Sequence, residues 1–135
     1  MALQLDVITP ERRLVSEAVD YVTVPGAAGE LGILPGHTPL ISQLRTGVLS
    51  YTQGQTTRRL LVSGGFVEVN DDRVSVLADL AELPEEVDAA RARIEREQAE
   101  KSLGAFTGSP EEFAETRTQL ERAAARLQLA AESSR

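Results

Sequence analysis

Two different periods of apolar residues divide the chain. From Leu3 the apolar positions recur every second residue as Leu3, Leu5 and Val7, then again through Val19, Tyr21 and Thr23, interleaved with Val22 and Val24. That alternation is the spacing of a β-strand. Short runs of the same kind follow at 31–34, 40–44, 48–52, 60–62, 66–69 and 74–78, separated by Gly26, Gly36, Gly47, Gly54, the pair Gly64-Gly65 and Asn70-Asp71-Asp72. Many short strands at close spacing predict an antiparallel β-sandwich or flattened barrel.

After Pro84 the pattern changes. Eleven of the remaining 51 residues are Ala, and the rest are rich in Glu and Arg, all good helix formers. Pro84 suits a first helical turn, Glu85, Glu86 and Asp88 complement the positive end of the macrodipole, and Val87, Ala90 and Ile94 form a stripe that ends at Gly104. A second helix opens with Ser109 as N-cap, Pro110 at the first helical position and Glu112 as the capping-box partner, and carries Phe113, Leu120, Ala124, Leu127 and Ala131 on one face. The expected fold is thus α+β and mainly β, with a sandwich over residues 1–84 and an antiparallel helical hairpin over residues 85–135. Ala-rich stripes bury little area per contact, so the hairpin is expected to be marginal alone and able to leave its resting place for a few kcal/mol.

Composition narrows the function. Hydrophobic residues make up 41% but aromatics only 4%, with no Trp, which argues against a base-stacking surface or an aromatic ligand cage. A formal charge of −7 repels nucleic acid and anionic lipid alike. Without cysteine there is no disulfide, thiolate nucleophile or Cys-based zinc site. The N-terminal residues lack a signal-peptide pattern, and no apolar run reaches the roughly 18 residues of a membrane span, so a cytoplasmic protein that meets a membrane only through a partner is expected.

Reactive constellations are scarce. His37 is the sole histidine and Lys101 the sole lysine, no Ser sits in a nucleophile elbow, and no calcium-loop spacing is present. The glycine-rich run Gly26-Ala27-Ala28-Gly29-Glu30-Leu31-Gly32 lacks the spacing and the following Lys of a phosphate loop. The residues therefore favour a binding, structural or regulatory module over an enzyme.

Four blocks carry a resemblance: Leu5-Asp6-Val7-Ile8-Thr9-Pro10-Glu11; Gly29-Glu30-Leu31-Gly32-Ile33-Leu34-Pro35-Gly36-His37-Thr38-Pro39-Leu40; Val62-Ser63-Gly64-Gly65-Phe66-Val67-Glu68-Val69; and Val74-Ser75-Val76-Leu77-Ala78-Asp79. In order and spacing they resemble the epsilon subunit family of F-type ATP synthases, and with the helical tail the likeness spans nearly the whole chain. The resemblance implies a non-catalytic rotor subunit at the cytoplasmic face of a bacterial inner membrane. Its sandwich edge would pack on the gamma subunit, and Glu30 with His37 would meet the c-ring. Its hairpin would restrain ATP hydrolysis by the alpha and beta subunits. No cofactor is required, but Val87-Asp88-Ala89-Ala90-Arg91-Ala92 is similar to a family motif that binds regulatory ATP, which assigns Asp88 and Arg91, with Glu82, Arg122 and Arg126, to that ligand. Two positions depart from the tight binders: Gln98 replaces an Arg, and Val87 replaces Ile or Leu. The competing readings are a freestanding β-sandwich adaptor and a small ATP sensor.

Overall fold

The computed structural model describes residues 2–105 and 107–133. Eight strands form one continuous sheet that wraps into a sandwich: β1 Leu3–Ile8, β2 Arg13–Val19, β3 Tyr21–Gly26, β4 Gly29–Ile33, β5 Leu40–Gln43, β6 Gly47–Gln53, β7 Thr56–Asn70 and β8 Arg73–Glu82. Their order is β2-β1-β8-β7-β6-β3-β4, with β5 pairing β7. All pairings are antiparallel except β1 with β8, which run parallel from Gln4↔Arg73 to Ile8↔Leu77. The alternation at the N-terminus translates directly, because Leu3, Leu5 and Val7 are all buried while Gln4 and Ile8 face outward.

Long β7 organises the rest. Its first half pairs with β6 and its second half with β5, while β8 runs beside most of its length. Sequence reading breaks this strand at Gly64-Gly65, but the ladder to β8 passes through with unchanged register, from Leu61↔Glu82 to Asn70↔Arg73. What changes there is the face. Leu60 and Val62 point into the main core, as do Val67 and Val69, so the inward positions switch from even to odd numbers, and β8 switches likewise between Ala78 and Ala81. Gly64 (φ 71°) and Gly65 (φ 90°) supply the left-handed backbone that the switch requires. A Cβ on Gly65 would collide with the Leu77 carbonyl oxygen. One strand thereby serves both layers of the sandwich.

The main core is built from Val, Leu, Ile and Ala, with Tyr51 its sole buried aromatic among the described residues, and none of its buried members belongs to a helix. A second, smaller cluster lies on the outer face, where Leu61 meets Ala125 and Leu129 with Val48, Leu80 and Val87 at the margin. This is the seat of the helices. A 3₁₀ turn over Pro84–Glu86 follows the sandwich, then α1 spans Ala89–Gly104 and α2 spans Pro110–Ser133. The two helices pack on each other, and α2 is the one set against β6 and β7.

The helix starts differ in how they follow the sequence. Ser109 caps α2 as expected: its Oγ accepts from the Glu112 amide at 3.2 Å and its hydroxyl donates to the Glu112 carboxylate. The first helix, by contrast, begins five residues after Pro84, with Asp88 as its N-cap accepting from the Arg91 amide at 3.1 Å. The expected apolar faces also move. Ile94 is 56% exposed, and the buried helix residues are Ala92, Ala99, Ala123, Ala125 and Leu129.

Candidate functional site

Where the hairpin leaves the sandwich, a cleft of about 270 Å³ is lined by Glu82, Glu86, Val87, Asp88, Arg91, Glu95 and Arg126. Each wall has a local cause. Glu82 closes β8 on the outer face beside the helix seat, and Arg126 reaches it from the middle of α2, one residue after the buried Ala125. Their contact is two-pronged: Arg126 Nε donates to Glu82 Oε1 at 2.7 Å and Nη2 donates to Oε2 at 2.8 Å. This hydrogen-bonded carboxylate raises the Arg126 pKa above its ordinary value, against the opposing effect of burial. The guanidinium is therefore a permanent cation.

The floor of the cleft is the linker. Glu86 Oε1 accepts from the Leu83 amide and from Arg12 Nη2, both at 2.8 Å, while the same Arg12 nitrogen donates to the Ala81 carbonyl at 3.3 Å. Arg12, from the β1–β2 loop, thereby ties the 3₁₀ turn to the end of β8. The hydrogen bond from Arg12 is the first cause, and that from the Leu83 amide the second, of a Glu86 pKa below the ordinary glutamate value. On the far wall Asp88 caps α1, and Arg91 lies one turn before Glu95, with Nε 3.9 Å from Oε1.

Four of the five residues expected at a nucleotide, Glu82, Asp88, Arg91 and Arg126, thus share this cleft. Arg122 does not line it. Its Nε donates to the buried Ser63 hydroxyl at 2.9 Å, and Ser63 in turn bonds Thr46 Oγ1 at 2.7 Å, so Arg122 serves as a fastening between α2 and β7. A third fastening joins Arg59 of β7 to Glu132 near the end of α2 at 3.3 Å. Asp88 stands at the N-cap of α1, where its Oδ1 accepts from the Arg91 backbone amide. Sequence alone gives Arg12 and Glu95 no role, and gives Glu86 only that of a first-turn acid. Arg12 and Glu86 are 74 positions apart, and no local pattern links them.

Glu30 and His37 lie outside this cleft. Glu30 is exposed on β4, opposite Pro25 of β3. His37 follows in the loop to β5, its Nδ1 donating to the Thr38 carbonyl at 2.6 Å, and that loop is pinned by the Gly36 amide donating to Asp72 Oδ1 at 2.7 Å. A separate surface stands out on the sheet's outer face. Phe66 of β7 is paired with Leu77 of β8 and Leu77 with Ile8 of β1, while Ile41 of β5 lies nearby opposite Glu68. Ile41, Phe66 and Leu77 are each at least half exposed, which makes this a row of solvent-facing apolar side chains.

Comparison with known proteins places the chain. Residues 2–84 match the ATP synthase Delta/Epsilon chain beta-sandwich domain, and residues 85–131 match the ATP synthase Delta/Epsilon chain long alpha-helix domain. An ATP synthase epsilon chain of Syntrophobacter fumaroxidans is 44% identical over 128 residues, covering 95% of each chain. One from Nitratidesulfovibrio vulgaris is 41% identical over 128 residues with the same coverage. The fold is similar to that of a chain in the Euglena gracilis mitochondrial ATP synthase, with a TM-score of 0.80 at 24% identity over 98% of this chain and 81% of that one. Matched in both halves, and aligned almost end to end with epsilon chains at these identities, the chain belongs to the ATP synthase epsilon-chain family.

Proposed function

We propose that the chain is the non-catalytic epsilon subunit in the central stalk of an F-type ATP synthase. Its sandwich couples the gamma shaft to the c-ring, and its hairpin regulates ATP hydrolysis by the alpha and beta head. One observation supports the regulatory part above all: among the described residues the main core contains no buried helix residue, whereas the helices sit on a separate cluster of Leu61, Ala125 and Leu129. Undocking the hairpin leaves the sandwich core intact. Burying a leucine contributes about 1.5–3 kcal/mol, so a seat of this size, with its side-chain fastenings, is in the range that a two-state element uses.

Coupling needs a stiff body with broad contacts. The apolar row of Ile8, Ile41, Phe66 and Leu77 suits packing on the shaft, on a face of the sandwich rather than at its edge, since exposed apolar patches mark interaction surfaces. Glu30, exposed on β4, and His37 in the pinned loop are offered to the polar loops of the ring. Association with the membrane is through the complex. No helix among the described residues is long and apolar enough to cross it.

The cleft at the hinge is the proposed site for ATP as a regulatory ligand. Arg91 would bind phosphate, Arg126 would do so on releasing Glu82, and Asp88 and Glu82 would position the nucleotide. Arg122 would join them only after releasing Ser63. Small-molecule sites run from about 300 Å³ upward, so a cleft of about 270 Å³ takes part of a nucleotide and leaves the rest at its mouth. Hydrolysis by the assembled enzyme, measured with the full chain and with a chain ending at Pro84, tests the regulatory function. Faster hydrolysis with the shorter chain is expected, and equal rates reject regulation by the hairpin.

A further inference from the structure

The cleft is negatively charged before any ligand enters. Its lining carries four carboxylates and two guanidiniums, a net charge of −2. Three of the four acids have structural tasks: Glu82 holds Arg126, Glu86 holds Arg12, and Asp88 caps α1. Glu95 has none of comparable strength. Its contact with Arg91 is long at 3.9 Å, and the Arg91 side chain is 78% exposed, so the pair adds little to the fold. Yet Glu95 lines the cleft, and its charge reaches Arg126 as well as Arg91.

We infer that Glu95 is an electrostatic gate on this cleft, its carboxylate standing beside Arg91 and opposing the entry of a polyphosphate. The inference rests on the nucleotide reading above and names what sets its affinity. A phosphate held by Arg91 would lie within one helical turn of the Glu95 carboxylate. Glu95 therefore weakens nucleotide binding by repelling the ligand.

Calorimetric titration of the full chain with Mg-free ATP tests this in three proteins: the natural chain, Glu95→Gln and Glu95→Arg. All three residues are good helix formers, and circular dichroism checks that α1 is unchanged. Affinity should rise in that order, by roughly five- to tenfold at the first step in low salt. The gain should shrink as salt screens the charge. Equal affinity in all three, or a gain indifferent to salt, overturns the gate while the nucleotide reading stands. Absence of heat in all three overturns the nucleotide reading and the gate with it.

Discussion

Arg126 and Glu82 face each other across the seam between α2 and β8 in parallel hydrogen bonds of 2.7 and 2.8 Å, with both side chains only about a fifth exposed. A two-pronged, charge-assisted contact is among the stronger polar interactions, and removing one partner leaves the other half-buried and unpaired. Arg126→Ala should therefore loosen the hairpin by about 1–3 kcal/mol. Hydrogen exchange is the measurement: amides of α2 should exchange at least about fivefold faster, while those of β1 and β7 keep their protection. Equal acceleration throughout would mean that hairpin and sandwich open as one unit.

Leu129 is fully buried in the small outer cluster, so Leu129→Ala opens a cavity that in an ordinary core costs about 2–5 kcal/mol. Here the loss has a ceiling. Once the penalty exceeds the docking free energy, the hairpin undocks and the sandwich no longer senses the change. The expected result is a melting temperature close to that of the natural chain, with helix signal lost earlier in the scan. Leu60→Ala, in the main core one residue from Leu61, should instead lower the melting temperature of the whole sandwich.

The clamp between Arg12 and Glu86 carries a pH dependence whose sign is fixed. Glu86 is held below its ordinary value of 4.5, first by the hydrogen bond from Arg12. A carboxyl depressed in the folded state contributes stability that is complete above its unfolded value and is lost as pH falls through the folded one. The linker should therefore open on acidification below about 4.5, and Glu86→Gln should remove that step. Exchange of the Leu83 amide, which donates to Glu86, reports it directly.

The parts of this structure that sequence made legible rest on short-range chemistry. Ser109 and Glu112 are three residues apart and cap each other, and Leu3, Leu5 and Val7 bury one face by alternation alone. Strand β2 carries no clear strand signal, because only Val15 and Val19 of its seven residues are buried, and a spacing of four fits a helix as well as a strand. The helix faces were misassigned because alanine has no preference strong enough to mark a face. Ala92 and Ala123 are buried by what lies opposite them, while Ala124 is exposed. In the cleft, Glu82 and Asp88 were found by likeness to a motif. The bond from Arg122 to Ser63 has no local signal, because the two lie 59 positions apart on different elements.

Gly64-Gly65 offers the sharpest test of the fold, because the sequence reads as a break and the structure uses it to carry one strand through both layers. Gly65 has φ 90°, and a side chain there would meet the backbone oxygen of Leu77, which cannot move without breaking the β7–β8 ladder. Gly65→Ala should cost about 3 kcal/mol or more, from backbone strain and the clash together. Gly104 is the control. It closes α1 with nothing within 4 Å of an added Cβ and no left-handed φ, so Gly104→Ala should be neutral or should stabilise the hairpin by up to about 1 kcal/mol. Thermal melts of the two variants should move in different directions or by very different amounts. A Gly65→Ala protein as stable as the natural chain would mean that β7 does not switch faces through a left-handed backbone at this point.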